Sequence, residues 1–256
     1  MPETNGFTIS GNTLYCQAFP PDAVFHAVFN RTGGVSVSPW DSNNVSHGLG
    51  DDPENVRRNR ARIKQALGID HMASARQVHG SEVCHLVEKP AADFEADGYD
   101  ALITNIAGVG LMIQQADCQA VMLFDPENMA VAIVHAGWRG TVAEIIARTV
   151  AAMGRAFATQ PSALLAAISP SLGPCCAEFI NYRSELPAAL HSYQVRPNYF
   201  DFWAISRDQL RAAGVQPENI HIAGICTCCS DDYFSYRRDR HTGRFASVLG
   251  IREAAG

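Results

Sequence analysis

The stretch CQAVMLFDPENMAVAIVHAGWRGTVAEIIARTV occupies residues 118–150. Two apolar runs, CQAVMLFD and MAVAIVH, flank Pro-Glu-Asn, and each has the length and turn-bounded composition of a buried strand. A small-residue loop holding Trp138 and Arg139 follows. A helical pattern then runs from near Thr141 to about Phe157. Thr141 and Glu144 have the S/T-x-x-E spacing of a capping box, which predicts the helix start there.

Working outward, β signals dominate from Ala73: SARQV, SEVCHLV, YDALIT and GVGLMIQ precede the hairpin. Downstream, ALLAAISP reads as a buried strand. Helices are expected around 176–191 and 203–213, with short strands near 220–225 and 244–249. Upstream, RTGGVSVSPWDSNNVSHGLGDDP (31–53) reads as a long loop, a length that often carries function. Asp52-Pro53 then opens a helix to about Leu67, with Gly68 as its stop. There is no internal repeat. Strands and helices are mixed without strict βαβ alternation, so the expected fold is an α/β sandwich with mixed sheets in one domain, residues 1–256.

The chain has 256 residues, 47% of them apolar and 18% charged, enough for a sizeable core. The net charge of −6 argues against a general nucleic-acid or membrane-surface binder, which would show a basic face. Lys64 and Lys89 are its only lysines, which leaves a Schiff-base mechanism few candidates. The start MPETNGFTIS lacks the basic and apolar regions of a signal peptide, and no apolar run reaches the roughly 18 residues of a membrane span. A cytoplasmic location is expected, where thiols stay reduced. The eight cysteines then read as buried thiols, metal ligands or nucleophiles.

The hairpin register brings chemistry together. Pairing Phe124 with Met129 across an Asp125–Asn128 loop sets Cys118 opposite His135, with Cβ atoms roughly 4.5–5.5 Å apart. A thiol meeting an imidazole is either a metal site, suited to zinc, or a thiolate nucleophile activated by histidine. A buried thiol with an unrelated surface histidine is the plain alternative. QVHG adds His79 at a strand end. His79, Cys118 and His135 together would leave the fourth position of a tetrahedral zinc to water or substrate, the catalytic pattern.

The motifs RTGGVS (31–36), QVHG (77–80), ADC (116–118), HAGWRGT (135–141), GPCCAEF (173–179) and FSYRRDRHTGRFAS (234–247) occur in this order. Together they resemble the YfiH family, also called peptidoglycan editing factor or polyphenol oxidase (laccase), over nearly the whole chain. The resemblance implies a single-domain α-β-β-α layered sandwich. It implies zinc on His79, Cys118 and His135 as metal ligands and catalytic centre. It also implies purine nucleoside phosphorolysis, in which adenosine, inosine, guanosine or methylthioadenosine reacts with phosphate to give base and pentose 1-phosphate. Adenosine deamination and the editing of peptidoglycan precursors are further activities linked to the family. Copper ranks behind zinc, because multicopper oxidases use many histidines, commonly as His-x-His, and no two of the nine histidines here stand two apart. The rival mechanism is a cysteine hydrolase with Cys118 as nucleophile and His135 as base.

For the phosphate, Arg139 in the GWRGT turn and Arg31 before Gly33-Gly34 are the candidates, each with a surface ion pair as the plain alternative. Trp138 reads as a core indole. Arg237, Arg238, Arg240 and Arg244 of SYRRDRHTGR could help bind phosphate or simply pair with Asp231, Asp232 and Asp239, and the structural role is expected. Cys175-Cys176 and CTCCSDD (226–232) offer five thiols. They would make a second metal site if they converged, but the Cys-x-Cys-Cys run is taken as buried thiols. His85 and Cys84 face opposite ways on a strand and should not share a metal. No P-loop or G-x-G-x-x-G supports ATP or NAD use. The expected partners are a purine nucleoside and phosphate, and the expected state is a monomer.

Overall fold

Two mixed sheets stack face to face in the computed structural model, which describes residues 6–253. The first has seven strands, in spatial order Phe7–Ser10, Thr13–Cys16, Val24–Phe29, Phe245–Ile251, Val109–Gln115, His71–Arg76 and Phe94–Asp97. The second has six: Ile220–Ile222, Leu165–Ile168, Gln119–Asp125, Ala130–Ala136, Ala101–Thr104 and Val83–His85. A two-stranded ribbon, Gln194–Arg196 with Tyr199–Phe200, lies apart from both.

Period-two alternation sorts the side chains into three apolar layers. Leu111, Ile113 and Phe245 of the first sheet meet Met122, Phe124, Val131 and Ile133 of the second to form the inter-sheet core. The opposite face of the second sheet, with Val121, Leu123, Ala132 and Val134, packs on Ile145, Ile146, Val150 and Met153 of the helix Ile145–Phe157 and on Leu210 of the helix Phe202–Ala212. The outer face of the first sheet, with Phe25, Ala27, Met112 and Val248, is covered by Ile63 and Leu67 of the helix Pro53–Leu67. The order of layers is therefore α-β-β-α, as the family resemblance implies.

The helix Pro53–Leu67 forms where its signals stand. The Asp52 carboxylate accepts the Glu54 N–H at 2.8 Å, and Gly68 closes the end at φ 69°. Its buried Asn59 ties down the long loop before it. Asn59 Nδ2 donates to Ser36 Oγ, Ser42 O and Asn44 O, and Asn59 Oδ1 accepts the Val35 N–H.

Three sequence expectations are corrected. The hairpin pairs Phe124 with Val131 and His135 with Ala120, two residues away from the expected register. Asp125 stays paired with Ala130, its carboxylate accepts the Glu127 and Asn128 N–H groups, and Met129 takes φ 46° to complete the turn. The helix expected from Thr141 is two helices. Trp138–Val142 begins after Gly137, and Ile145–Phe157 begins after Glu144, which takes φ 59°. Thr141 lies inside the first of these with its hydroxyl unpartnered, so no capping box forms. Only the short turns Tyr182–Glu185 and Ala188–Tyr193 are helical within 176–191. The backbone of 177–179 is drawn instead to 198–200, with Phe179 N donating to Asn198 O and Phe200 N to Ala177 O. The strands within 7–29 and Phe94–Asp97 carried no sequence signal that marked them.

Candidate functional site

Three chain segments cross from the first sheet to the second at the same end of the sandwich, and two of them carry members of the site. One joins His71–Arg76 to Val83–His85 and carries His79. The other joins Val109–Gln115 to Gln119–Asp125 and carries Cys118. His135 lies near the end of Ala130–Ala136, on the inter-sheet face shared by Val131 and Ile133. Because the register slip is two residues, Cys118 keeps its face and reaches His135 as a diagonal neighbour rather than an opposed one. The ligand atoms of His79, Cys118 and His135 all lie within 4.8 Å of one another. Cys118 Sγ is 3.9 Å from His79 Nε2, and the two imidazoles meet edge to face at 4.8 Å between centroids.

Asp100 organises the trio, and sequence reading missed it. It is fully buried just before Ala101–Thr104, next to His135 in the ladder, and its O accepts the His135 N–H. Its carboxylate takes His135 Nδ1 at 2.7 Å, His79 N at 2.9 Å, Gly80 N at 2.7 Å and Val78 N at 3.2 Å. Burial pushes the Asp100 carboxyl up, but these donors overcome it and hold it below its ordinary value. One carboxylate thus fixes both the His79 turn, strained at φ 60°, and the His135 tautomer, which leaves Nε2 facing the trio. An aspartate before a strand has no distinguishing sequence signal. Only the register of Val134 with Ala101 brings it beside His135.

Asp117, at φ 89°, clamps the second crossing in a similar way. Its carboxylate accepts Thr227 Oγ1, Ser235 Oγ and Arg237 N. Burial would raise the Cys118 thiol, yet His135 and His79 lower it to about 6. Burial would likewise lower His135, yet Cys118 and Asp100 raise it to about 9. Each group thus favours the charged form of the other. A Cβ on Gly137 would come within 2.9 Å of His79 Cδ2 and 3.0 Å of Cys118 Sγ, so a methyl there would displace the ligand side chains. The donor set is two imidazole nitrogens and one thiolate, held by an outer carboxylate, and it suits a tetrahedral d¹⁰ ion with one open position.

The trio lies in the wall of a cavity of about 970 Å³. Arg139, Arg240 and Arg244 line it, with Trp138, Phe179 and Tyr236 among its aromatic walls. Arg139 stacks over the Trp138 ring at 4.4 Å, and Trp138 is half-buried, packed with Phe179 against the apolar cluster of Ala177, Phe200 and Phe202. Arg31 is not among the lining residues. Its guanidinium is held by Asp41 and lies over Phe234. Arg238 is structural, bonding Asp239 and the carbonyls of Thr227, Ser230 and Tyr233, whereas Arg240 and Arg244 face the cavity instead of Asp231 and Asp232. Cys84 packs toward the inter-sheet core and His85 on Phe157 of the helical layer, on opposite faces as expected.

Residues 25–252 match the family model described as multi-copper polyphenol oxidoreductase laccase. This chain is a member of that laccase family, the YfiH family. It is 36% identical to "Purine nucleoside phosphorylase" of Xylella fastidiosa over 248 residues, covering 91% of this chain and 94% of the relative. It is 34% identical to "Purine nucleoside phosphorylase YfiH" of Escherichia coli over 242 residues, covering 90% and 95%. The crystal structure of YlmD from Geobacillus stearothermophilus superposes with a TM-score of 0.87 at 31% identity, covering 97% of this chain and all of that one. The two YfiH-family crossings and His135 make up one of two His/Cys/Asp/Glu groups among the described residues able to hold a metal, and this is the group that contains imidazole. The second group corrects a sequence expectation. Four of the five thiols converge, and Cys175 and Cys229 are exposed rather than buried. The pair that matters, Cys226 and Cys229, does stand at Cys-x₂-Cys spacing.

Proposed function

We propose that this chain is a zinc-dependent purine nucleoside phosphorylase that also deaminates adenosine. The observation that carries this is the His79–Cys118–His135 trio in the wall of a large arginine-lined cavity, braced by Asp100. Curated relatives named purine nucleoside phosphorylase, aligned over nine-tenths of the chain, support it. His79, Cys118 and His135 would hold the zinc, which when bound supplies Lewis acidity toward phosphate or a hydrolytic water.

The chain's own groups do the rest. Asp100 holds the Nδ1 hydrogen of His135 and so aims Nε2 at the position the zinc would take. Arg139, with Arg244 and Arg240 as added cavity-lining candidates, offers guanidinium donors for phosphate. None of these three is ion-paired among the described residues. Trp138, Phe179 and Tyr236 provide apolar faces against which a purine can lie. Arg31, tied to Asp41, is left outside this set. A single imidazole-containing cluster among the described residues favours mononuclear zinc over the several coppers of a laccase. The eight free thiols fit a reducing cytoplasm.

The test is hypoxanthine release from inosine with and without phosphate, run beside inosine formation from adenosine. Release that requires phosphate, and that falls by about 100-fold or more in His79→Ala and Cys118→Ala, is expected for lost metal ligands. Release that survives in both variants overturns the ligand assignment. A second reading has its own observation. Cys118, His135 and Asp100 also form the thiolate–imidazolium–carboxylate series of a cysteine hydrolase. Zinc below about half an equivalent, with rapid alkylation of Cys118, would favour it. The nearby His79 imidazole, which a hydrolase does not need, favours the metal.

A further inference from the structure

On the far side of the cavity wall, two turns approach each other closely. The turn 173–176 carries Cys175 and Cys176, and the turn 226–229 carries Cys226 and Cys229. They are joined by a bridge between Ser171 and Cys226 and by Thr227 N donating to Ser171 O. All four sulfurs lie within 4.8 Å of one another. Cys229 Sγ is 3.6 Å from Cys175 Sγ and 3.4 Å from Cys176 Sγ. A tetrahedron with metal–sulfur arms of about 2.3 Å has sulfur–sulfur edges of about 3.8 Å. A disulfide would bring two sulfurs to about 2.05 Å. The spacing is that of four ligands around one ion.

The surroundings hold the two turns in place. Gly173 N donates to Cys226 Sγ at 3.3 Å. A Cβ on Gly173 would lie 3.0 Å from Cys226 Cβ and 2.9 Å from Trp203, so glycine permits the close approach. Three guanidiniums grip the carbonyls of the same turns. Arg196 Nη2 donates to Cys175 O, Arg237 Nη1 to Cys176 O, and Arg238 Nη1 to Thr227 O. They fix the loops and offset the double negative charge that four thiolates around a divalent ion would carry.

We propose that Cys175, Cys176, Cys226 and Cys229 form a second metal site, a closed tetrathiolate for zinc or another thiophilic d¹⁰ ion. Four protein ligands leave no open position, so the site is structural. It rivets the turn leading to Ala177, Glu178 and Phe179 to the segment leading to Tyr236 and Arg237, all of which line the cavity. The assignment does not depend on what the cavity binds.

The test uses the full chain with the first site removed. His79→Ala/Cys118→Ser, purified under reductant from zinc-replete cells, is expected to retain about one zinc per chain, since four thiolates hold the ion through purification. Adding Cys176→Ser/Cys229→Ser should remove it. Loaded with cobalt instead, the first variant should show the intense visible bands and sulfur charge transfer of a tetrathiolate. Absence of metal from a folded first variant overturns the site, as does a disulfide among the four cysteines in the reduced protein. Should the variants fail to fold, the wild type decides. Zinc should shield five thiols, Cys118 and the four of the second site, from an aromatic disulfide reagent until a chelator is added, and reaction of Cys175, Cys176, Cys226 and Cys229 in the zinc-loaded protein overturns the site.

Discussion

At the scale of single residues, the site depends on two positions that hold no metal. Asp100→Asn keeps the size of the side chain but removes the charge that orients His135 and closes the His79 turn. Zinc affinity should fall by about 10- to 100-fold, the usual effect of losing an outer carboxylate, as measured by competition with a chromophoric chelator. An unchanged affinity would mean that the trio is held by its loops alone. Gly137→Ala adds one methyl against His79 and Cys118. Its zinc affinity should drop while its unfolding midpoint without metal stays close to wild type, and a variant that binds zinc normally would show the cradle to be pliable. The trio was legible in sequence because Cys118 directly precedes the strand that pairs with that of His135 and parity survives a two-residue slip. Asp100 was not legible, because only the ladder between Ala101–Thr104 and Ala130–Ala136 makes it a neighbour of His135.

At the scale of elements, the helix Pro53–Leu67 and the loop it anchors stand or fall together. Asn59→Ala removes four hydrogen bonds and leaves buried partners of the 35–44 segment unmet. A loss of about 3 kcal/mol in urea unfolding is expected, with faster amide exchange across that segment. A loss confined to the helix, with the loop still protected, would contradict it. This helix could be read to the residue because its signals, Asp52, Pro53 and Gly68, are local and agree. The capping-box spacing at Thr141 failed because Gly137 starts a helix three residues earlier, so the pattern fell inside a turn already formed. The region 176–191 failed because its backbone partners lie near residue 198, beyond any local window. The convergence of the cysteines was hidden for the same reason: their two turns stand some fifty residues apart in sequence and meet only through Ser171 and Cys226.

At the scale of the whole molecule, one buried histidine sets an acid limit. His26 is 7% exposed inside the first sheet, and its Nε2 accepts the Cys16 N–H at 2.8 Å, which requires an unprotonated nitrogen. Burial lowers it to about 4. The unfolded chain takes up that proton near pH 6.5, so between pH 6.5 and 4 the unfolded state binds more protons and stability rises with pH. The contribution is complete above pH 6.5 and is lost as the pH falls toward 4. About 2 kcal/mol should disappear between pH 7.5 and pH 5 in the wild type, and this part of the slope should be missing in His26→Gln. Equal slopes in the two proteins would place the acid sensitivity elsewhere.

His79 and Cys118 ride on two of the segments that pass from one sheet to the other, so an ion bound there is a bolt through both sheets. The bolt cannot seat until the sheets have docked, which places it after the main barrier on the way in and before it on the way out. Zinc should therefore lower the unfolding arm of a chevron and leave the refolding arm where it was. The metal would then set how long the native chain survives, and the sheets alone would set how quickly it forms.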